Sequence, residues 1–473
     1  MLECPARLPL RPLLLLMTLA AGLSAGDWLQ FRGPNAAGVA ESGAPAEIGP
    51  DRHLVWKTPL PPGHSSPIVA GERIYLTTVE GEALATVALD KATGKILWKR
   101  EAPRARVSNT HKMNNAAAPT PVSDGEGVYV FFGDYGLLAY DADGAEKWRL
   151  PMGPFHNEMG VGTSPILADG KLILTLDSDL GSYLLAVDPA NGETLWRVDR
   201  SEFTRGFSTP AVYRPDAGPA QVIIPGAFQL TAYAVEDGRK LWWANGLCWQ
   251  TKTAAVLAGD KVFAHCWAAG GDRPPEKTYP DFAEALPQID ANGDGAVEQA
   301  EFYEGQKVNA FDLDGDGKLD AKDWRYFQAR NLSQNALLAV RLGGSGDVTD
   351  THVEWTFNKL LPNVATPLLY EGVLYMVKDG GILVSLDAET GRQIKAGRLT
   401  GALGKYFASP VAADGKLYLL DETGAVTVVK AGGEWEILSS WASGEGGNAT
   451  PAIVDGRIYL RTHENLYCFG EAP

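Results

Sequence analysis

The chain has 473 residues, 21% charged and 45% hydrophobic, ordinary for a globular protein and unlike a disordered one. At about 100–200 residues per domain it has room for two to four units or one large repeat fold, with a core large enough to need no disulfide or metal. A net charge of −16 argues against nucleic acid as a partner, and 53 Gly with 30 Pro imply many turns.

Residues 1–25 place Arg7 and Arg11 before the apolar run from Leu13 to Ala21, and small residues follow as far as Ala25. This is the order of a secretory signal peptide, cut after Ala20 or Ala25, and it predicts a periplasmic or secreted protein. No Cys lies at the cut, so no lipid anchor is expected. No later apolar run approaches the roughly 18 residues of a membrane span. The mature chain keeps Cys248, Cys266 and Cys468, an odd count that allows at most one internal disulfide. Cys248 and Cys266 could pair across one hairpin, or all three could be buried thiols.

From residue 66 onward the chain repeats itself. Each unit opens with a small residue and Pro before an alternating apolar strand. The instances are Ser66-Pro67, Thr120-Pro121, Ser164-Pro165, Thr209-Pro210, a degenerate Thr253-Ala254, Thr366-Pro367, Ser409-Pro410 and Thr450-Pro451. Their spacings lie between 41 and 54 residues, except for one of 113 that must hold an insertion. A turn such as Asp169-Gly170 or Asp414-Gly415 leads to a second strand, a strong hairpin signal. A third strand then passes through a polar turn into a fourth that carries Trp, as in Ala88–Trp98, Ala139–Trp148, Ala186–Trp196 and Ala234–Trp242. Ser385–Ile394 follows the pattern without the Trp.

Four strands per unit, repeated eight times with Trp at one phase, predict an all-β, eight-bladed β-propeller. The last unit has only three strands. The segment His53 to Lys57 reads as an unpaired fourth strand, so a strand over 53–58 is expected to close the ring and remove the open sheet edge. The propeller then occupies 26–271 and 336–473, with an insertion at 272–335 in blade 5.

The pattern Ala-x-Asp-xx-Thr-Gly-Lys-xx-Trp of Ala88–Trp98 resembles the pyrroloquinoline-quinone-like (PQQ-like) propeller repeat. The opening Asp27 to Asn35 resembles the start of exported bacterial members of that superfamily. The resemblance covers nearly all of the mature chain. It implies either a quinone-dependent dehydrogenase or a non-catalytic scaffold, such as the propeller lipoprotein of the outer-membrane protein assembly machine, and fold alone does not choose.

The insertion contains two twelve-residue loops of EF-hand form. In the first, Asp290, Asn292, Asp294, Glu298 and Glu301 place oxygens at positions 1, 3, 5, 9 and 12, with Gly295 at the sharp turn and the Ala296 carbonyl at position 7. In the second, Asp312, Asp314, Asp316, Asp320 and Asp323 do the same, with the Lys318 carbonyl at position 7. Two calcium ions are expected, in a structural rather than signalling role. A short helix around Phe302 to Phe311 is predicted to serve both loops. Phe282, Leu286, Ile289, Trp324 and Phe327 are the apolar residues available to pack them.

Connections from each fourth strand to the next first strand, and turns between second and third strands, emerge on one face of a propeller. Arg104, His111, Asn114, Asn157, Glu158, Arg205, Trp249, Gln250, Lys378 and Tyr406 lie on such segments, and a protein, peptide or glycan is the expected partner at this rim. No catalytic residue is assigned. A quinone site would need an axial calcium and an Asp base. Glu158, Asn157 and Asp177 could supply oxygens, but the adjacent cysteines found in many such enzymes are missing. The sequence thus favours an exported binding or scaffold propeller over a quinoprotein oxidising an alcohol or sugar.

Overall fold

The computed structural model describes residues 26–471, apart from residues 105, 109, 158 and 273–276. The leader and Glu158 therefore lie outside the described residues. Among the described residues no helix is long and apolar enough to cross a membrane.

Eight antiparallel sheets of four core strands form the blades. The first runs from the inner strand Ile68–Ala70 through Arg73–Glu80 and Ala83–Asp90 to the outer strand Ile96–Ala102. Tight turns join inner to second strands because both central residues adopt positive φ. Asp169 and Gly170 lie at 47° and 72°, Asp414 and Gly415 at 47° and 68°. That conformation matches the twist of a two-residue hairpin. The eighth blade is completed from the other end of the chain. Leu54–Pro59 pairs antiparallel with Asn465–Phe469, Trp56 lying opposite Cys468, so the ring has no gap between its first and last blades.

Two recurring contacts explain the repeat. The hydroxyl of each Ser or Thr before Pro accepts the backbone N–H of the matching residue one blade earlier. Ser66 donates to Thr120, Thr120 to Ser164, Ser164 to Thr209, Thr366 to Ser409, Ser409 to Thr450, and Thr450 back to Ser66, all within 2.9–3.1 Å. In blade 5 the residue at this phase is Ala254, whose N–H donates to Thr366 Oγ1 at 3.2 Å. The register of the fifth unit is therefore Ala254-Ala255, one residue later than Thr253-Ala254. With a methyl in place of the hydroxyl, the ring of side-chain acceptors is interrupted once.

The second contact is made by the outer-strand Trp. Trp56, Trp98, Trp148, Trp196 and Trp355 each donate Nε1–H to a carbonyl in the next blade's last turn, at Lys91, Ala142, Pro189, Val235 and Glu389. The turn glycine lies flat beneath the indole. A Cβ on Gly192 would sit 2.7 Å from the Trp148 ring, and Gly192 has a φ of +80°. The repeat's Gly and Trp are thus two halves of one inter-blade joint. In blade 6 the strand register puts Lys395 at the Trp position, opposite Ser385; its Nζ donates to the Trp435 carbonyl at 2.6 Å, while the adjacent Ile394 packs over Gly433.

The segment Asp27 to Ala40 crosses the face that carries the inner-strand turns. Trp28 bridges Val69 of blade 1, and the Leu29 carbonyl accepts from Ser123 of blade 2 at 2.8 Å. The Asn35 amide brackets the backbone of Val212 in blade 4, at 2.7 and 2.8 Å. Arg32, fully buried, donates to the Pro367 carbonyl of blade 6, and Val39–Ala40 pairs parallel with the inner strand of blade 7. One segment thereby ties five blades across the axis and covers that end of it. The opposite, loop-rich face remains available.

Candidate binding face and inserted lobe

The insertion leaves the propeller between Lys261–Cys266 and Ala336–Arg341, the second and third strands of blade 5. A polar neck holds its ends together. The Asn335 side chain accepts from the Ala268 N–H at 2.7 Å and donates to the Ala268 carbonyl, while its backbone N–H donates to Gly271. Beyond the neck, α1 (Phe282–Ile289) precedes the first loop and α2 (Ala321–Leu332) follows the start of the second. The loops are joined side by side by a short β-bridge, Val297 opposite Leu319 and Glu298 opposite Lys318.

Trp324 and Phe327 are fully buried, and Phe302, Phe311, Leu313 and Leu319 pack with them. Phe282, Leu286 and Ile289, the apolar residues before the first loop, close the edge of the same cluster. The expected α-helix over Phe302 to Phe311 does not form. Gly305 takes a φ of +80°, which stops helical propagation, and only Val308–Ala310 makes a 3-10 turn.

In the second loop, carboxylate oxygens of Asp312, Asp314 and Asp323 lie within 4.8 Å of one another. Asp323 is buried, and burial raises its carboxyl to about 6. In the first loop the Lys318 ammonium lies between Asp294 at 2.5 Å and Glu298 at 2.9 Å. Glu301 accepts N–H groups from Ala291, Asn292 and Glu298.

On the loop-rich face, arginines from the inter-blade loops and outer strands meet aspartates from the turns after the second strands. Arg104 pairs with Asp134 at 2.7 Å, and Arg205 with Asp179 at 2.8 Å. Arg200 grips Asp177 with two bonds of 2.7 Å and also donates to Tyr233 Oη at 2.6 Å. An Asp follows the second strand within one or two residues in blades 2, 3, 6 and 7, at positions 134, 177, 379 and 421. That recurrence is a weak sequence signal for these pairs, since its phase shifts by a residue between blades.

The rim residues fall into three groups. His111 is exposed, and Asn114 joins two loops by donating to the Met159 and Val161 carbonyls. Asn157 accepts from Met159 within its own loop, and Lys378 is half-buried at the end of a strand. Gln250 and Tyr406 are buried, the Tyr406 hydroxyl donating to the Ala402 carbonyl at 2.9 Å. Arg205 and Trp249 lie beneath α2. Tyr326 meets the Trp249 ring edge-on at 6.3 Å, and the Arg330 guanidinium lies 4.1 Å from its centroid. Cys248 and Cys266 are free thiols, as is Cys468, and the Cys248 N–H donates to Cys266 Sγ at 2.7 Å.

Two histidines flank the mouth, His265 buried and His64 half-buried. Burial, with His463 and Arg461 nearby, pushes His64 down to about 3, and burial beside Lys252 does the same to His265. In an unfolded chain each would titrate near 6.5. The unfolded state therefore binds more protons throughout the window from about 6.5 to 3, and stability present above pH 6.5 is lost as the pH falls through it. The expected loss between pH 6.5 and 5 is about 2 kcal/mol for each histidine. Urea unfolding of the parent and of His265→Gln at pH 7 and 5 checks this, and the variant should lose less.

A family model described as outer membrane protein assembly factor BamB (PQQ_2) matches residues 46–159, 88–265 and 304–472. The chain belongs to this PQQ-like propeller family. It is 24% identical to a polyvinylalcohol dehydrogenase of a Pseudomonas species over 336 residues, 60% of this chain and 47% of that protein. It is 28% identical to BamB of Alkalilimnicola ehrlichii over 152 residues, 32% of this chain and 36% of the other. The matches thus span less than half of either relative. Among solved structures, BamB from Moraxella catarrhalis superposes with a TM-score of 0.55 at 12% identity, covering 88% of this chain and 98% of that one. The quinohemoprotein alcohol dehydrogenase of Comamonas testosteroni gives 0.61 at 13%, covering 95% and 81%. Likeness at such identities establishes the propeller fold.

Proposed function

We propose that the protein is an exported, calcium-loaded binding propeller whose loop-rich face engages a protein, peptide or glycan in the periplasm or outside the cell. The observation that carries this reading is the state of the carboxylates on that face. Asp134, Asp177 and Asp179 are each neutralised by an arginine, and Asp177, the described acid best placed by sequence to serve an axial cofactor, is locked to Arg200. What the face offers instead is the exposed His111, half-buried amides such as Asn114 and Asn157, and loop backbone, the chemistry of recognition. The BamB family match supports a scaffold that works through partners.

The lobe's donors suit calcium. All are hard oxygens, and in the second loop three carboxylates converge as an ion would require. Lys318 satisfies two ligands of the first loop, so calcium is expected to enter the second loop first and to displace the ammonium on filling the first. The ions serve as staples, since extracellular modules of this type bind at about 10⁻⁴–10⁻³ M and would stay loaded.

The polyvinylalcohol dehydrogenase relative favours a second reading, a quinoprotein acting on an alcohol or sugar. Titration of pyrroloquinoline quinone into the purified protein with calcium present separates the two. The binding reading expects no uptake. Tight one-to-one binding with dye reduction by alcohols or sugars would overturn it.

A further inference from the structure

We infer that the lobe controls the propeller mouth: an ion in the second loop fixes α2, and α2 fixes the loops between blades 3 and 4 and between blades 4 and 5 through Arg205 and Trp249. The inference rests on the calcium reading of the lobe and adds a consequence to it.

The chain of contacts begins at Asp323. One carboxylate oxygen accepts the Leu313 N–H at the start of the loop, at 3.0 Å, and the other accepts the Asp320 N–H at the head of α2. Asp320 in turn accepts from Lys322 and Asp323, so the first turn of α2 is built around a side chain that also belongs to the carboxylate cluster. Three adjacent negative groups repel one another unless a cation joins them. The position of the helix is therefore tied to occupancy of the loop.

One turn along α2, the Tyr326 ring lies between two residues of the propeller. Its edge meets Trp249, and the Arg205 guanidinium stands 5.6 Å from its centroid. The Arg330 guanidinium lies over the Trp249 ring at 4.1 Å, and Lys322 Nζ reaches the Asp179 carbonyl at 3.5 Å. All four of Arg205, Asp179, Trp249 and Tyr326 are less than a tenth exposed.

The blade 3–4 loop is held in a costly conformation. Arg205 has a φ of +46°, which a non-glycine residue keeps only where its surroundings impose it. Those surroundings are Asp179 and α2. Immediately after it, the Phe207 N–H donates to the Thr251 carbonyl at 2.9 Å, joining this loop to the one that carries Trp249 and Gln250. Releasing α2 would remove what imposes the strained backbone, and both loops would relax together. Two arrangements of the mouth, biased by an ion, are what such coupling requires.

Hydrogen exchange on the whole protein, with calcium or with a chelator, tests this. Calcium is expected to slow exchange at least tenfold not only in α2 but also in residues 200–208 and 246–252. Trp249→Ala should still bind calcium by calorimetry while protection stays inside the lobe; Arg205→Gln serves the same purpose if the first variant does not fold. Calcium binding with protection confined to 277–335 in the parent protein would overturn the coupling. Absence of calcium binding by calorimetry would overturn the lobe reading beneath it.

Discussion

Replacing Arg200 by Met is expected to cost about 3–5 kcal/mol of unfolding free energy, the usual consequence of breaking a buried ion pair from one side. Arg200 has no solvent exposure and Asp177 almost none. The guanidinium supplies both bonds to the carboxylate, one to Tyr233 and a longer one to Thr231, and it lies 4.1 Å from the Phe203 ring. Without it, a carboxylate remains in a site that water does not reach. The double variant Arg200→Met, Asp177→Asn should recover part of the loss, because it leaves no buried charge. Urea unfolding curves measure both, and a single-variant loss below about 1 kcal/mol would show that Asp177 finds another partner.

Trp148→Ala is expected to cost a similar amount, about 3–5 kcal/mol, as large core aromatics do. Its indole covers Gly192, donates to the Pro189 carbonyl at 2.8 Å and rests near Tyr129. The alanine variant leaves a gap between blades 2 and 3 and an acceptor without its donor. Trp148→Phe keeps most of the apolar cover and loses the hydrogen bond, so it should fall between the two. Equal stability of all three proteins would mean that the joint is not a source of cohesion between blades.

These joints are also why so much of the fold was legible. Ser or Thr before Pro marks the inner-strand ring, and Gly with Trp marks the outer joint, so both contacts recur at fixed spacing and announce the blade count. Legibility failed where the marker was missing. Ala254 and Ala255 carry neither hydroxyl nor Pro, so Thr253-Ala254 imitates the motif one residue out of phase. Over 302–311 the 22-residue offset between the two loops implies a shared helix, but the backbone follows Gly305. The segment from Asp27 to Asn35 lies outside the repeat, and nothing periodic in it reveals that it crosses the axis.

The binding face was harder to read for a different reason. Arg205 and Trp249 have the character of rim residues, yet they are covered by a helix that begins at Ala321, more than seventy residues further on. Arg104 and Asp134 meet because two loops of neighbouring blades converge. Local sequence contains the recurring Asp but not the partner it selects. The two acidic loops stand out in the sequence because their carboxylates lie within twelve consecutive residues.

If the lobe is a calcium-stapled part of the propeller's working face, calcium must bind it and stabilise the fold. Calcium titration into chelator-stripped full-length protein, followed by calorimetry and then by melting, tests it most directly. Two ions per chain are expected, with the melting temperature rising as calcium is added; at calcium 100-fold above its Kd each site would contribute about 2.7 kcal/mol. No heat of binding and a melting curve unchanged by chelator would contradict it.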